Sequence, residues 1–101
     1  MAEVDKTELR QEYEQIWEDL EDLLRQVALV EGFQGNLSQI LEFLRGRGIM
    51  PKGEYEKLTI HQGTLSTLRA GQDEDLTQGK VKELALLADQ LRTRLRSFIV
   101  E

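Results

Sequence analysis

The sequence predicts an all-α fold, a four-helix bundle formed as one domain over residues 1–101. Three observations carry that prediction. Apolar residues recur three and four positions apart through most of the chain, the spacing of one helical face. The interruptions fall at glycine, proline or short polar turns, and no segment alternates apolar and polar with the period of a strand. Each link is a few residues long, which favours antiparallel packing of sequential helices.

The first helix is expected over about residues 5–31. Leu9, Tyr13, Ile16, Leu20, Leu23, Val27 and Val30 alternate spacings of four and three, a heptad seam, and Trp17 and Leu24 widen it. The opposite face carries Glu12, Glu14, Glu18, Asp19, Glu21 and Asp22, and Gly32 supplies the stop. A short helix follows over about 37–45, with Asn36 and Gln39 spaced as a capping box and Leu37, Ile40, Leu41 and Leu44 facing inward. Gly46-Arg47-Gly48 ends it.

The third helix is expected over about 52–70, starting just after Pro51, because proline biases Met50 away from helical geometry. Tyr55, Leu58, Leu65 and Leu68 mark its inner face, with His61 between them; Gly63 and the β-branched Thr59, Ile60 and Thr64 lower its propensity. After the polar turn at 70–75, a long amphipathic helix spans about 77–100 with Thr77 as N-cap. Val81, Leu84, Ala88, Leu91, Leu95 and Phe98 form its stripe, with Leu87 and Ile99 alongside. The expected core is Leu20, Leu23, Val27, Leu41, Leu44, Leu58, Leu65, Leu84, Leu91 and Leu95.

Composition bounds the function. Hydrophobic residues are 40% and charged residues 32%, too apolar for disorder and too charged for a membrane protein. No apolar run approaches the roughly 20 residues of a bilayer span. The opening MAEVDKTELR is acidic and lacks an apolar stretch, so no signal peptide and a cytoplasmic location are expected. The net charge of −6 is concentrated at −7 over residues 1–31 and becomes +2 over residues 76–101. That balance argues against a duplex-DNA binder, which needs clustered cations. Arg92, Arg94 and Arg96 could form a small basic patch, or a solvated face near a helix C-terminus.

Catalytic chemistry is sparse. With no cysteine and one histidine, neither disulfides, a thiolate nucleophile nor a metal site is expected, and no cofactor is implied. Gly46-Arg47-Gly48 lacks the flanking strand and Lys-Ser/Thr of a phosphate loop. His61 is read as a core residue holding a hydrogen bond, against a catalytic alternative that would need an orienting partner. Arg69 is eight residues on, more than about 10 Å along the helix axis, too far for a direct partnership in one chain. Tyr13 and Trp17 are interface candidates that could equally sit in the core.

The stretch from Asn36 to Ile99 resembles the HEPN superfamily of small helical-bundle domains. The resemblance rests on NLSQILEFLRGRG, the apolar-proline junction IMPKGEYEKL, the helix end LSTLRAGQDEDLT and the final long helix. The first helix, YEQIWEDLEDLLRQVALVEGF, is similar to the opening helix of those domains. The resemblance implies a dimer and, in active members, metal-independent RNA cleavage by an arginine followed four to six residues later by a histidine. Arg69 matches the arginine, but Glu74, Asp75 and Leu76 stand where the histidine would be, and Ala70 replaces the usual polar neighbour. The pair is broken, and an acid there would repel RNA phosphate.

The expected function is therefore that of a non-catalytic HEPN-like module acting by protein–protein association, as a homodimer or an accessory to another protein. Neither duplex DNA, RNA nor membrane is expected as a partner. The alternatives are a ribonuclease using Arg69 with His61 of a second copy, and an unrelated helical scaffold or regulator.

Overall fold

The computed structural model describes residues 6–72, 74 and 76–99. Among these the chain forms four helices: α1 (Lys6–Val30), α2 (Leu37–Gly46), α3 (Lys52–Arg69) and α4 (Gln78–Ile99). The expected start at Asp5, the expected end at residue 100 and the side chain of Ile99 lie outside the described residues. The boundaries follow from local chemistry. Asn36 Oδ1 accepts from the Gln39 amide, and the Gln39 side chain accepts from the Asn36 amide, both at 2.9 Å, completing the capping box. Thr77 Oγ1 accepts from the Lys80 amide at 3.1 Å at the head of α4.

The first three helices end in the same way. Gly32, Gly48 and Gly71 take positive φ values of 85°, 75° and 88°, a region costly for any residue bearing a Cβ. The paired hydrogen bonds are those of a Schellman turn, for example Phe33 N–H to Ala28 O at 2.8 Å beside Gly32 N–H to Leu29 O at 2.9 Å. Within α3, the hydroxyls of Thr59, Thr64 and Thr67 donate back to carbonyls four residues earlier. Side chains that weaken a helix by competing for its backbone are thus satisfied inside it.

The direction of α2 departs from expectation. Leu37 lies beside Trp17 and Glu21, Ile40 beside Arg25 and Leu29, and Arg47 pairs with Glu31 at 3.2 Å. So α2 runs in the same sense as α1. The link from residue 31 to residue 36 doubles back along α1, held by Arg25 Nη1 donating to Gly35 O at 3.2 Å and by Phe33 stacked on Phe43 at 4.4 Å. A short link favours reversal only when it does not itself run along its parent helix. In turn, α3 is antiparallel to α1, since His61 sits by Tyr13 and Leu68 by Arg10. Its antiparallel neighbour α4 meets it at Glu54 and Arg94.

The core joins all four helices. The buried positions of α1 are Leu9, Tyr13, Trp17, Leu20, Leu24, Val27 and Ala28. Ile16 and Leu23 are only half-buried against that cluster, and Val30 is 58% exposed. The stripe is thus rotated from the expected seam toward Trp17 and Leu24. A heptad seam suits one partner helix, whereas α1 has neighbours on several sides and follows the 3.6-residue period of a straight helix. Nine of the ten expected core residues are buried, Leu23 being the exception.

Arg94 is likewise no part of a basic patch. Its guanidinium turns inward, donating to Ile49 O at 2.5 Å and pairing with Glu54, while Arg92 and Arg96 stay exposed. The α2–α3 link is thereby pinned to α4, and Ile49 and Met50 are buried beneath it. The Nε of Arg94 is buried without a hydrogen-bond partner, a local cost of this clamp.

Leu91 has no exposed surface. Leu91→Ala should destabilise the bundle by about 2–5 kcal/mol in a denaturant titration. A loss below about 0.5 kcal/mol would place α4 wrongly, because surface substitutions fall in that range.

Candidate functional site

Two polar residues, His61 and Thr64, are buried in the described structure, and both belong to α3. The sequence puts His61 on the apolar face between Leu58 and Leu65, so folding carries the imidazole inward to 4% exposure. Its Nδ1 lies 2.6 Å from the hydroxyl of Tyr13 on α1, while the hydroxyl's other neighbour, the His61 carbonyl, is 3.4 Å away. The shorter contact joins the phenol to Nδ1, and which of the two donates follows the imidazole tautomer.

The electrostatics fit that contact. Burial pushes the Tyr13 phenol up to about 12, the neighbouring Thr64 hydroxyl pulling the other way and Glu83 adding to the rise, so the phenol keeps its proton at neutral pH. Burial and, next, the charge of Lys80 hold His61 below the usual 6.5 of imidazole, with Glu83 opposing. A neutral imidazole and a neutral phenol share one proton donor and one acceptor. The pair is a satisfied core contact, as read from the sequence.

This packing settles where the other singled-out residues stand. Tyr13 and Trp17 are 0% and 1% exposed in one chain, so neither offers a contact surface to a second molecule. Both lie at the centre of the rotated α1 stripe. Arg69 is exposed at the end of α3, on a shallow groove with Trp17, Glu21, Gln62 and Ser66, and is not brought to His61. Of the positions where the family pattern would place a histidine, Glu74 is exposed, Asp75 lies outside the described residues and Leu76 is 1% exposed in the core. Among the described residues, no group of three or more His, Asp or Glu side chains is placed to hold a metal ion. No described helix is long and apolar enough to cross a membrane.

What reaches the surface is apolar. A groove of about 260 Å³ runs between α3 and α4 with His61 and Leu87 at its base. Lys57 and Ile60 line it from α3, and Glu83, Leu86 and Gln90 from α4. Ile60 and Leu86 are 58% and 61% exposed. Sequence reasoning missed both. Leu86 stands one position from the buried Leu87 and Ile60 one from His61, so their composition matched the stripe although their angular positions did not. A helical wheel centred on the buried set, in place of a count of apolar spacings, would have found them.

Comparison with family models, curated proteins and solved structures finds no match to this chain.

The Tyr13–His61 contact has a pH signature. Because the folded-state value of His61 lies below 6.5, the unfolded chain takes up the proton first as the solution is acidified. The stability this residue contributes is complete above about pH 6.5 and is lost as pH falls from there toward the folded value. Urea titrations at about pH 7.5 and about pH 5.5 should show a decline of at most about 1.4 kcal/mol per pH unit from this group. That part of the decline should vanish in His61→Gln. Equal pH dependence in the two proteins would mean that the imidazole titrates alike folded and unfolded.

Proposed function

We propose that this chain is a non-catalytic, HEPN-like helical module that acts by protein–protein association, with a second copy of itself as its partner. The observation that carries the reading is the pair of large exposed apolar side chains, Ile60 and Leu86, that rim one groove between α3 and α4. Isolated exposed leucines are common, but two branched residues facing each other across a groove are costly to leave in water and gain by being covered. A cytoplasmic location accords with the absence of cysteine.

Support for a non-catalytic role comes from His61. A general acid or base must meet the proton it moves, within hydrogen-bond reach. The imidazole is the only side chain here that titrates near neutrality unaided, and it is buried at 4% exposure beneath the α3–α4 groove. The ribonuclease alternative needs it accessible to substrate and to Arg69 of another copy. Glu74, exposed in the turn after α3, would also oppose a phosphate.

Two measurements test the proposal. Sedimentation equilibrium at micromolar concentration should give twice the 11.7 kDa chain mass; a mass of 11.7 kDa throughout would remove the homodimer. Labelled RNA without added metal should stay intact. Cleavage that disappears in both His61→Ala and Arg69→Ala, with helical circular dichroism preserved, would put the ribonuclease reading first.

A further inference from the structure

We infer that the outer face of α4 is two-fold self-complementary and docks against α4 of a second copy, antiparallel, with Leu86 at the symmetry axis. The inference rests on the association reading above and names the surface that serves it.

The geometry starts from the register of α4. At 100° per residue, Lys82 and Asp89 fall within about 20° of each other on one flank of Leu86, and Glu83 and Gln90 within about 20° on the other. The grooves agree: Lys82, Leu86 and Asp89 border the groove shared with α1, whereas Glu83, Leu86 and Gln90 border the one shared with α3. Along the axis, Lys82 precedes Leu86 by about 6 Å and Asp89 follows it by about 4.5 Å. Glu83 precedes it by about 4.5 Å and Gln90 follows by about 6 Å.

Now apply a two-fold axis through Leu86, perpendicular to α4 and lying in the plane of the interface. Each flank then meets its own copy with the helix direction reversed. Lys82 faces the second copy's Asp89, and Asp89 faces its Lys82, giving two ion pairs on the α1 flank. On the α3 flank Glu83 faces Gln90, whose amide can donate to the carboxylate, and the contact also occurs twice. Leu86 meets Leu86 at the centre, and Ile60 borders the apolar patch. A parallel pairing, about a two-fold along the helices, would instead bring opposite flanks together and set Lys82 against Glu83 and Asp89 against Gln90. Of the two, only the antiparallel register pairs Asp89 with a cation, and recovery of association on double charge exchange belongs to that register alone.

The side chains concerned are free to do this. Among the described residues neither Lys82 nor Asp89 has an ion-pair partner, while the arginines Arg10, Arg25, Arg47 and Arg94 each hold a carboxylate. Lys82, Glu83, Leu86, Asp89 and Gln90 are all exposed, so substituting them removes little from the core.

Charge exchange tests this directly, read by sedimentation equilibrium and by native mass spectrometry of mixtures. Lys82→Glu and Asp89→Lys, each alone, convert both ion pairs into like-charge contacts and should weaken self-association about tenfold. An equal mixture of the two variants should form a heterodimer in preference to either homodimer, and the double variant should recover wild-type association. Leu86→Asp should raise the dissociation constant about thirty-fold or more, the scale of a central anchor. Leu29→Asp, at the other exposed apolar site, should leave association unchanged. A dimer indifferent to the α4 variants, or one broken by Leu29→Asp instead, would overturn this seam and leave the association reading in place. A wild-type chain that stays monomeric would overturn both.

Discussion

The buried stripe of α1 is the surface on which the other three helices depend. Trp17 and Leu20 occupy its middle, α4 packs along its length, α2 lies beside its second half, and α3 is tied to its first half through Tyr13 and Arg10. A helix with neighbours on several sides needs a wide apolar face, and seven buried residues supply it over 25 positions. The acidic face opposite has no such use. It stays in water, where only Glu14 and Glu21 are drawn toward arginines one turn away. The concentration of negative charge in the first third of the chain is the consequence of a central helix with one polar side.

Polar side chains tie the helices together at two places, and they do different work. Tyr13 and His61 join α1 to α3 through a neutral hydrogen bond, so their burial adds specificity without leaving a charge in apolar surroundings. Arg94 joins α4 to the α2–α3 link through a charged group, and it leaves one nitrogen unpartnered. The first contact orients two long helices. The second holds in place the connection that contains Pro51, where the chain lacks an amide donor and α3 begins without a side-chain cap.

The same arrangement determines what is left for contact with other molecules. Once Tyr13 and Trp17 are committed to the interior, the large aromatic groups that most often anchor an interface are withdrawn from it. The remaining exposed apolar residues are aliphatic and sit on the edges of helices: Ile60 and Leu86 on one side, Leu29 and Val30 at the end of α1. Of these only Leu86 lies amid a symmetric arrangement of opposite charges. A surface of that kind gives specificity chiefly through charge and affinity through one small apolar centre, a combination suited to reversible association.

Helix number, limits and caps were determined by the sequence itself, because they rest on local chemistry: Asn36 with Gln39, Thr77, and the glycines at 32, 48 and 71. The inward residues of α2 and α4 were legible for the same reason, as each of these helices presents a single stripe. His61 as a hydrogen-bonded core residue could be anticipated, but not its partner, since Tyr13 is 48 positions away and nothing local links them. Tertiary structure alone decided four further points. It rotated the α1 stripe from Ile16 and Leu23 toward Trp17 and Leu24. It sent α2 alongside α1 instead of against it. It turned Arg94 out of the basic run toward Ile49 O and Glu54, half-buried, and it left Ile60 and Leu86 outside. Each depends on where neighbouring helices come to lie, and spacing along one helix fixes a face without saying which other face will meet it.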